Sequence, residues 1–557
     1  MRGAAWRLRR LPPPGPEPWH RLAEAWGLSA PAARLAWMRG ADQPADLAWR
    51  LDPAWSRSTD PYLLSGMGEA VARIRRAVAQ GEPITVYGDY DVDGVSATAV
   101  LLRTLERMQA RVEAFIPNRF SDGYGLNLDC IRELVARRGP GLAVSVDCGV
   151  RSSEEVRASR ELGLEWVLTD HHLPGDEGLP EACAVVHPAL GDYPNPHLAG
   201  VGVAFKLAQA LLDAVPQPRG ADVPFLDGLL KLVALGTLAD QVPLIGENAL
   251  LVRRGLQALA GPNAPGLAAL LAVARVEGMP SAQAVAFHVA PRLNAAGRMG
   301  GAQEALDLLL SRDAGAAADL AERVDALNRE RRKIQAELAA SLPEAGPGAF
   351  DFVLSEQAHK GVIGIVAAQR SRSHGRPSGV GTLLDGLVHA SLRAPEGFDL
   401  TDMIARARPF LRSGGGHRGA AGITFEPARL GLVQRSLMCA AEEQAQASGP
   451  TLPLLDGQGG GVVPGAAELA RLEPWGQGFP LPSVLLEGVA GPVQAFGEGH
   501  HRHRLAGLSE SLTWFAGAQL EAPPAAGQHI RVIASPMDHP RFGRSWRVEA
   551  SLPGEAP

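Results

Sequence analysis

Cysteine is scarce in this chain: four residues, Cys130, Cys148, Cys183 and Cys439, among 557. They lie far apart with no Cys-x-x-Cys pair. That argues against a zinc ribbon and a disulfide framework, and it predicts reduced, mostly buried thiols. Long apolar runs are also missing, since Gly, Arg or Asp interrupts every stretch before eighteen residues, so no segment reads as a membrane span. No leader is evident either: the basic start, Met1 to Arg10, runs into Leu11-Pro12-Pro13-Pro14-Gly15-Pro16 and not into an apolar core. The expectation is a cytoplasmic protein without membrane association. Excess positive charge is absent too, the net charge being −6, which does not advertise binding to duplex nucleic acid. The basic residues are mostly Arg with few Lys; a guanidinium suits phosphate, but a GC-rich coding bias produces the same excess.

What is present is an ordinary 46% apolar share over 557 residues, enough for two to four domains with separate cores. Residues 1–55 carry Pro and Trp with short helical pieces such as Pro31 to Met38 and read as an N-terminal arm. From about 56 to 262, strand-like runs at Ile84–Tyr87, Val112–Ile116, Leu142–Val146, Glu165–Leu168 and Ala184–Val186 alternate with helix-like segments. That rhythm predicts a parallel sheet with helices on both faces. Around Leu229 to Leu235 the pattern turns helical and carries Asp240 past a Gly-Thr turn. From Gln303 to Leu342, Leu320, Val324, Leu327, Ile334 and Leu338 keep a 3-4 spacing that predicts a long helix; the charged run Arg329–Lys333 on it reads as a solvated face. A second α/β unit begins at Phe352-Val353-Leu354 and ends near Gln446, and residues beyond 449 hold short β-like runs at Ser483–Leu486, Ile530–Ala534 and Ser545–Ala550, which fit a small β-barrel.

Two strings carry the chemistry: Gly88-Asp89-Tyr90-Asp91-Val92-Asp93-Gly94 and Thr169-Asp170-His171-His172. The first follows the strand-like Ile84–Tyr87, and between them Ala143–Val146 leads into Asp147, Cys148 and Gly149. Ligands of open α/β sheets sit at the carboxyl ends of strands, so three such ends can converge on one crevice. Alternate residues leaving a strand point the same way, which would turn Asp91 and Asp93 toward it. Hard oxygen donors with imidazole suit Mn²⁺ or Mg²⁺. A calcium EF-hand loop is excluded, because the twelfth position from Asp89 is Val100 where a bidentate Glu is required, and a strand precedes the string.

With the later strings Ala234–Asp240, Arg292–Met299, His359–Ala367 and Gly414–Gly422, the chain resembles the DHH/DHHA1 phosphoesterases, and within them the RecJ family of single-strand-specific 5′ to 3′ DNA exonucleases of DNA repair and recombination. The resemblance runs in order from about Ile84 to Gly422. It implies a fold of two α/β domains followed by an OB-fold barrel: a DHH catalytic domain over 56–301, a connecting helix over 302–344, a DHHA1 domain over 345–448 and an OB-fold-like barrel over 449–557. It implies two divalent ions, Mn²⁺ or Mg²⁺, held by Asp89, Asp91, Asp93, Asp147, His171 and Asp240, with Asp147 as bridge, Asp91 and Asp89 at one ion, and Asp93, His171 and Asp240 at the other. Asp93 and Asp147 would thus serve catalysis directly. His172 would donate to a phosphate oxygen or leaving group, and Asp170 would orient the histidines. Arg119, Arg298, Ser391, Arg393 and His417 would contact phosphates near the 5′ end or the scissile bond. The implied cleft between the two units admits one strand, with Trp514, Phe515 and Trp546 of the barrel available to stack bases or to fill its core. An acidic protein serves such a role if its acids gather at the metals and its arginines line the strand's path. Single-stranded DNA is the implied substrate, a single-stranded-DNA-binding protein and a RecQ-type helicase are implied partners, and a monomer is implied.

Two strings depart from the family pattern. His389-Ala390-Ser391-Leu392-Arg393-Ala394 stands where Gly-Ser-x-Arg-Ser is usual, and Glu473-Pro474-Trp475-Gly476-Gln477-Gly478-Phe479-Pro480 replaces Phe-Gly-x-Gly-Asn-Pro. A DHH oligoribonuclease or cyclic-dinucleotide phosphodiesterase would resemble the chain only up to Gly422, so the residues after Gly449 favour a polymer substrate. A noncatalytic replication scaffold would have lost ligands that are all present here, and a manganese pyrophosphatase would lack the long helix and the barrel.

Overall fold

The computed structural model describes residues 7–9, 17–118, 122–123, 125–175, 178–215, 217–356, 358–448, 454–456, 464–496, 500–506, 508, 511–515, 524–539 and 543–552. The chain forms two compact units, one of residues 1–324 with 453–557 and the other of residues 325–452.

The first unit begins with β1 (Arg7–Leu8), α1 (His20–Trp26), α2 (Ala30–Met38), α3 (Pro44–Leu51) and α4 (Met67–Gln80). There follow β2 (Ile84–Gly88), α5 (Val92–Arg107), β3 (Val112–Phe115), α6 (Leu128–Arg138), β4 (Gly141–Val146), α7 (Ser153–Glu161), β5 (Leu164–Thr169) and β6 (Ala184–Val186). These strands form one parallel sheet in the order β3-β2-β4-β5-β6. Its central strands are continuous apolar runs because both faces are covered. Tyr87, Ala143, Trp166 and Leu168 pack with Ile131, Leu134 and Val156 of α6 and α7, and the opposite face meets α5 and α8 (Gly200–Leu211). Helix α9 (Asp222–Asp240) packs on α5 and on α10 (Gly246–Leu259). The expected Gly-Thr turn is absent: Gly236 and Thr237 lie inside α9, where a Cβ on Gly236 would come 2.7 Å from Asp93 and Val201. Next come α11 (Pro265–Val273), the short α12 (Ala282–Ala284), a π-helical turn Val285–Val289, α13 (Ala290–Arg298) and α14 (Ala302–Leu310).

The single helix expected from about 302 is two. The chain breaks at Ser311–Asp313, where the Asp313 carboxylate accepts the backbone N–H of Ala316 and starts α15 (Ala314–Ser341). The N-terminal residues are also more than an arm. Trp19, Leu22, Leu35, Trp37 and Leu47 of the first helices share a core with Leu469, Leu472, Trp475 and Phe479, so the Glu473–Pro480 string is spent on packing. Of the cysteines, Cys130 and Cys148 are buried and Cys183 and Cys439 are exposed.

The second unit takes the rest of α15, β7 (Asp351–Leu354), α16 (Lys360–His374), β8 (Ser378–Leu384), β9 (Leu387–Arg393), α17 (Leu400–Ala407), β10 (Ser413–His417), β11 (Ala420–Phe425) and α18 (Leu430–Ser448). Its sheet is mixed, in the order β10-β11-β9-β8-β7 with only β7 and β8 parallel. On α15 the charged run stays on the helix surface, with Arg331 bonded to Asn328 and Gln335.

Returning to the first unit, β12 (Leu454–Leu455) pairs with β1, and α19 (Ala466–Arg471) joins the N-terminal helices. The remaining strands are β13 (Val484–Val489), β14 (Gln494–Phe496), β15 (His500–Arg504), β16 (Ser511–Trp514), β17 (His529–His539) and β18 (Gly543–Leu552), in the order β13-β17-β18-β16-β15-β14. Among the described residues, no helix is long and apolar enough to cross a membrane.

Candidate metal centre

Three strand ends and two helices meet in one acidic cluster. Strand β2 stops at Gly88, so Asp91 is not a strand residue. It is the N-cap of α5, its carboxylate accepting the N–H groups of Asp93 and Gly94 at 2.8 and 3.1 Å. Asp93 is in the first turn of that helix, and its two carboxylate oxygens accept the N–H groups of Gly200 and Val201 at 2.6 and 3.0 Å, the N-terminus of α8. Strand alternation therefore does not align Asp91 with Asp93; helix geometry and the docking of α8 do.

At the end of β4, Asp147 has φ 64°, a left-handed conformation that Asp tolerates better than most residues. Its N–H continues the ladder to the Thr169 carbonyl at 3.0 Å. Its side chain lies against Gly200, where a Cβ would stand 2.5 Å from Oδ1, so only glycine opens α8 at that point. His171, after β5, places Nε2 3.1 Å from Asp147, 3.8 Å from Asp93 and 3.7 Å from Asp240 at the end of α9. Asp147 Oδ1 and His171 Nε2 are buried and make no hydrogen bond.

Among the described residues, ligand atoms close enough to share an ion occur in three groups: Asp89, Asp91 and Asp147; Asp93, His171 and Asp240; and Asp147, His171 and His172. Burial, then repulsion from Asp240 and Asp91, pushes the Asp93 carboxyl far above its ordinary range. Burial and the neighbouring acids, Asp93 first, do the same to Asp147. Asp240 rises to about 7 from burial and the nearby Asp91. Burial, with a smaller effect from His172, holds His171 neutral at about 3, the state in which an imidazole nitrogen is a ligand. Crowded carboxylates whose repulsion goes unrelieved fit hard divalent cations, and the oxygen and imidazole donors suit Mn²⁺ or Mg²⁺.

Asp170 belongs to none of these groups and holds the histidines. One of its oxygens accepts the N–H groups of His171 and His172 and the His172 Nδ1–H at 2.8 Å; the other accepts the Val150 N–H at 3.0 Å. Burial alone would raise the Asp170 carboxyl, but the hydrogen bond and charge of His172 hold it well below its ordinary value. The same bond outweighs burial at His172 and raises it to about 9. Because a carboxylate only accepts, His172 donates to it through Nδ1. The sequence reading missed His187, a buried residue whose Nδ1 accepts the Ala189 N–H and whose Nε2 donates to the His172 carbonyl at 2.8 Å.

Beside the cluster, Asp89, Tyr90, Asp91, His172, Asn294, Gly297 and Arg298 line a cavity of about 160 Å³. Arg298 is the last residue of α13, and the Asn294–Gly297 run before it is helical. A Cβ on Gly297 would stand 2.3 Å from the Tyr90 carbonyl, so α13 packs directly on the Asp-Tyr-Asp loop. Asn294, also missed as a site residue, accepts the Val92 N–H at 3.3 Å. Arg119 lies outside the described residues. Ser391, Arg393 and His417 belong to the second unit. There Arg393 donates to Ser391 Oγ at 2.9 Å, both lie against Gly364 of α16, and His417 is exposed on β10.

The model of the DHH family, N-terminal domain, matches residues 83–237. The single-stranded-DNA-specific exonuclease RecJ of Bacillus subtilis is 36% identical over 496 residues, which cover 86% of this chain and 61% of that protein. The protein of the same name from Thermus thermophilus is 35% identical over 532 residues, 93% of this chain and 74% of the relative. The crystal structure of Thermus thermophilus RecJ in complex with Mn²⁺ superposes with a TM-score of 0.81 at 31% identity, covering 99% of this chain and 79% of that one. The metal-ligand sequence, the arrangement of the cluster and these likenesses agree, and the chain belongs to the RecJ family of single-stranded-DNA-specific exonucleases.

Proposed function

We propose that this chain hydrolyses single-stranded DNA from its 5′ end, releasing 5′-mononucleotides in cytoplasmic DNA repair and recombination. The observation that carries the reading is the carboxylate cluster, in which Asp147 is common to a group with Asp89 and Asp91 and a group with the histidines. We assign Asp89, Asp91 and Asp147 to one ion, and Asp93, His171 and Asp240, with Asp147 as bridge, to the other. A pair of Mn²⁺ or Mg²⁺ ions supplies an activated water and neutralises charge growing on the phosphate. His172, oriented by Asp170, directs Nε2 to a phosphate oxygen or the leaving group. Arg298, in the cavity beside Asp89 and His172, stabilises charge at the scissile phosphate.

We read the DHH domain as residues 56–301 and the second unit as a DHHA1 domain. Its Ser391, Arg393 and His417 bind the 5′-terminal phosphate, a role supported by the guanidinium and hydroxyl side by side at Gly364. The C-terminal sheet we read as an OB-fold barrel. Support comes from the parallel pairing of β16 with β18, from β13 and β14, consecutive in the chain, standing at the two edges of the sheet, and from the antiparallel Ala490–Leu505 bridge between the ends of β13 and β15. Trp514 and Trp546 are core residues there. The half-buried Phe515, beside Phe496 and His500 with Arg502 over the Phe496 ring, is the better base-stacking surface.

The test is nucleotide release from single-stranded DNA and from a blunt duplex of the same sequence, with Mn²⁺, Mg²⁺ or chelator. Metal-dependent release from the single strand alone is expected. Equal attack on the duplex, or release in chelator, would overturn the reading.

A further inference from the structure

Helices α5, α9, α10 and α11 with the Pro262–Ala264 turn form the walls of a second cavity, open to solvent and of about 600 Å³, lined by Arg103, Asp227, Gly228, Lys231, Arg254 and Gln257 among others. That volume is ordinary for a small-molecule site. The cations in it are unequally matched. Arg254 is paired with Asp227 at 2.6 Å. Arg103 donates to the Leu309 carbonyl at 2.7 Å, and Lys231 donates to the Pro262 carbonyl and, at 2.9 Å, to Asn263 Oδ1. Neutral acceptors take the N–H groups of Arg103 and Lys231, Glu106 attracts Arg103 without a contact ion pair among the described residues, and the cavity wall itself carries three cations to the one carboxylate of Asp227. Burial and Arg312 hold the Arg103 guanidinium below its ordinary pKa; burial and Arg103 do the same to Lys231. The surrounding surface is not a basic track, because Arg107 and Arg312 are paired with Asp222 and Glu106.

From this geometry we infer that the cavity binds a phosphate-bearing small anion, a nucleoside monophosphate or phosphate itself. Charge confined to one concavity between neutralised neighbours suits a compact anion better than a polymer backbone. The pocket is separate from the carboxylate cluster. Arg103 follows Asp93 along α5 by on the order of 15 Å, and Lys231 precedes Asp240 along α9 by on the order of 14 Å, at 1.5 Å per helical residue. The two helices run from one site to the other. The inference therefore does not depend on the catalytic reading.

Calorimetry on the full chain in chelator, with 5′-dAMP, inorganic phosphate and deoxyadenosine as separate ligands, tests it. Saturable one-to-one binding of 5′-dAMP or phosphate, and none of deoxyadenosine, is expected. Tighter binding of 5′-dAMP would identify a nucleotide as the ligand, and equal affinities would identify phosphate. Arg103→Met with Lys231→Met should weaken binding at least tenfold. Gly228→Leu provides a variant that keeps every cation: a Cβ there meets nothing within 4 Å, so the side chain enters the cavity and helix propensity improves. It should block 5′-dAMP without lowering Tm, whereas Asp240→Asn should leave binding unchanged. Binding that survives both pocket changes, equal binding of deoxyadenosine, or an oligonucleotide that binds through these residues when 5′-dAMP does not would overturn the inference.

Discussion

At Asp147 a single residue combines a left-handed backbone, full burial and four neighbouring acids. Asn keeps the shape and tolerates the same φ, so Asp147→Asn should fold. In chelator its Tm should stay level or rise, because one buried repulsive charge is gone, while turnover should fall by at least about 100-fold and the Tm gain on adding Mn²⁺ should shrink. Exposed Glu161 is the control, expected to change stability by less than about 0.5 kcal/mol on truncation. If Asp147→Asn keeps more than a few per cent of wild-type turnover, the bridging assignment fails. The arginines should separate kinetically. Arg393→Ala should raise KM about 10- to 150-fold, the loss of about 1.5–3 kcal/mol for a charge-assisted contact, and its deficit should shrink on 5′-hydroxyl ends. Arg298→Ala should lower kcat on both kinds of end. The residues legible in the sequence were those whose spacing is local, the Asp-Tyr-Asp-Val-Asp and Asp-His-His strings. His187 and Gly200 were not legible, since each matters only through a contact made across the fold, to the His172 carbonyl and to the Asp147 side chain.

Among the elements, the strands of the first sheet were readable because its central strands β2 and β4 are buried throughout and each strand is followed by a polar turn and a helix-like segment. The N-terminal helices were not, because their apolar faces find partners more than four hundred residues away. Arg50 of α3 shows what that packing costs to break. It is buried, its guanidinium stacks 3.5 Å over the Phe479 ring, and it donates to the carbonyls of Leu472, Pro474 and Leu244. Arg50→Ala should therefore destabilise by about 3 kcal/mol or more, read as a fall in the chemical-denaturation midpoint, by leaving buried acceptors without donors. The same segment supports the metal site: Leu244, in the loop that follows Asp240, donates its N–H to the Gln477 carbonyl at 2.7 Å. A chain cut after Pro450 should lose thermal stability and also weaken Mn²⁺ binding at least several-fold. Unchanged metal affinity in a folded truncation would show that the loop stands without this support.

For the molecule as a whole, likeness beyond the catalytic unit separates the readings. A small-ligand phosphodiesterase sharing only the region to Gly422 does not account for 93% coverage by the Thermus thermophilus relative, and a decayed scaffold does not account for a complete donor set. The account rests on metal-dependent attack that begins at one end of a single strand. Its most direct test is digestion of the same oligonucleotide carrying either a 5′ or a 3′ label, with Mn²⁺ present and product sizes followed in time. Immediate release of the label as a mononucleotide from the 5′-labelled strand, with a ladder of progressively shorter fragments from the 3′-labelled strand, is expected. Mononucleotide release first from the 3′ label, or internal cuts in both, would contradict the account.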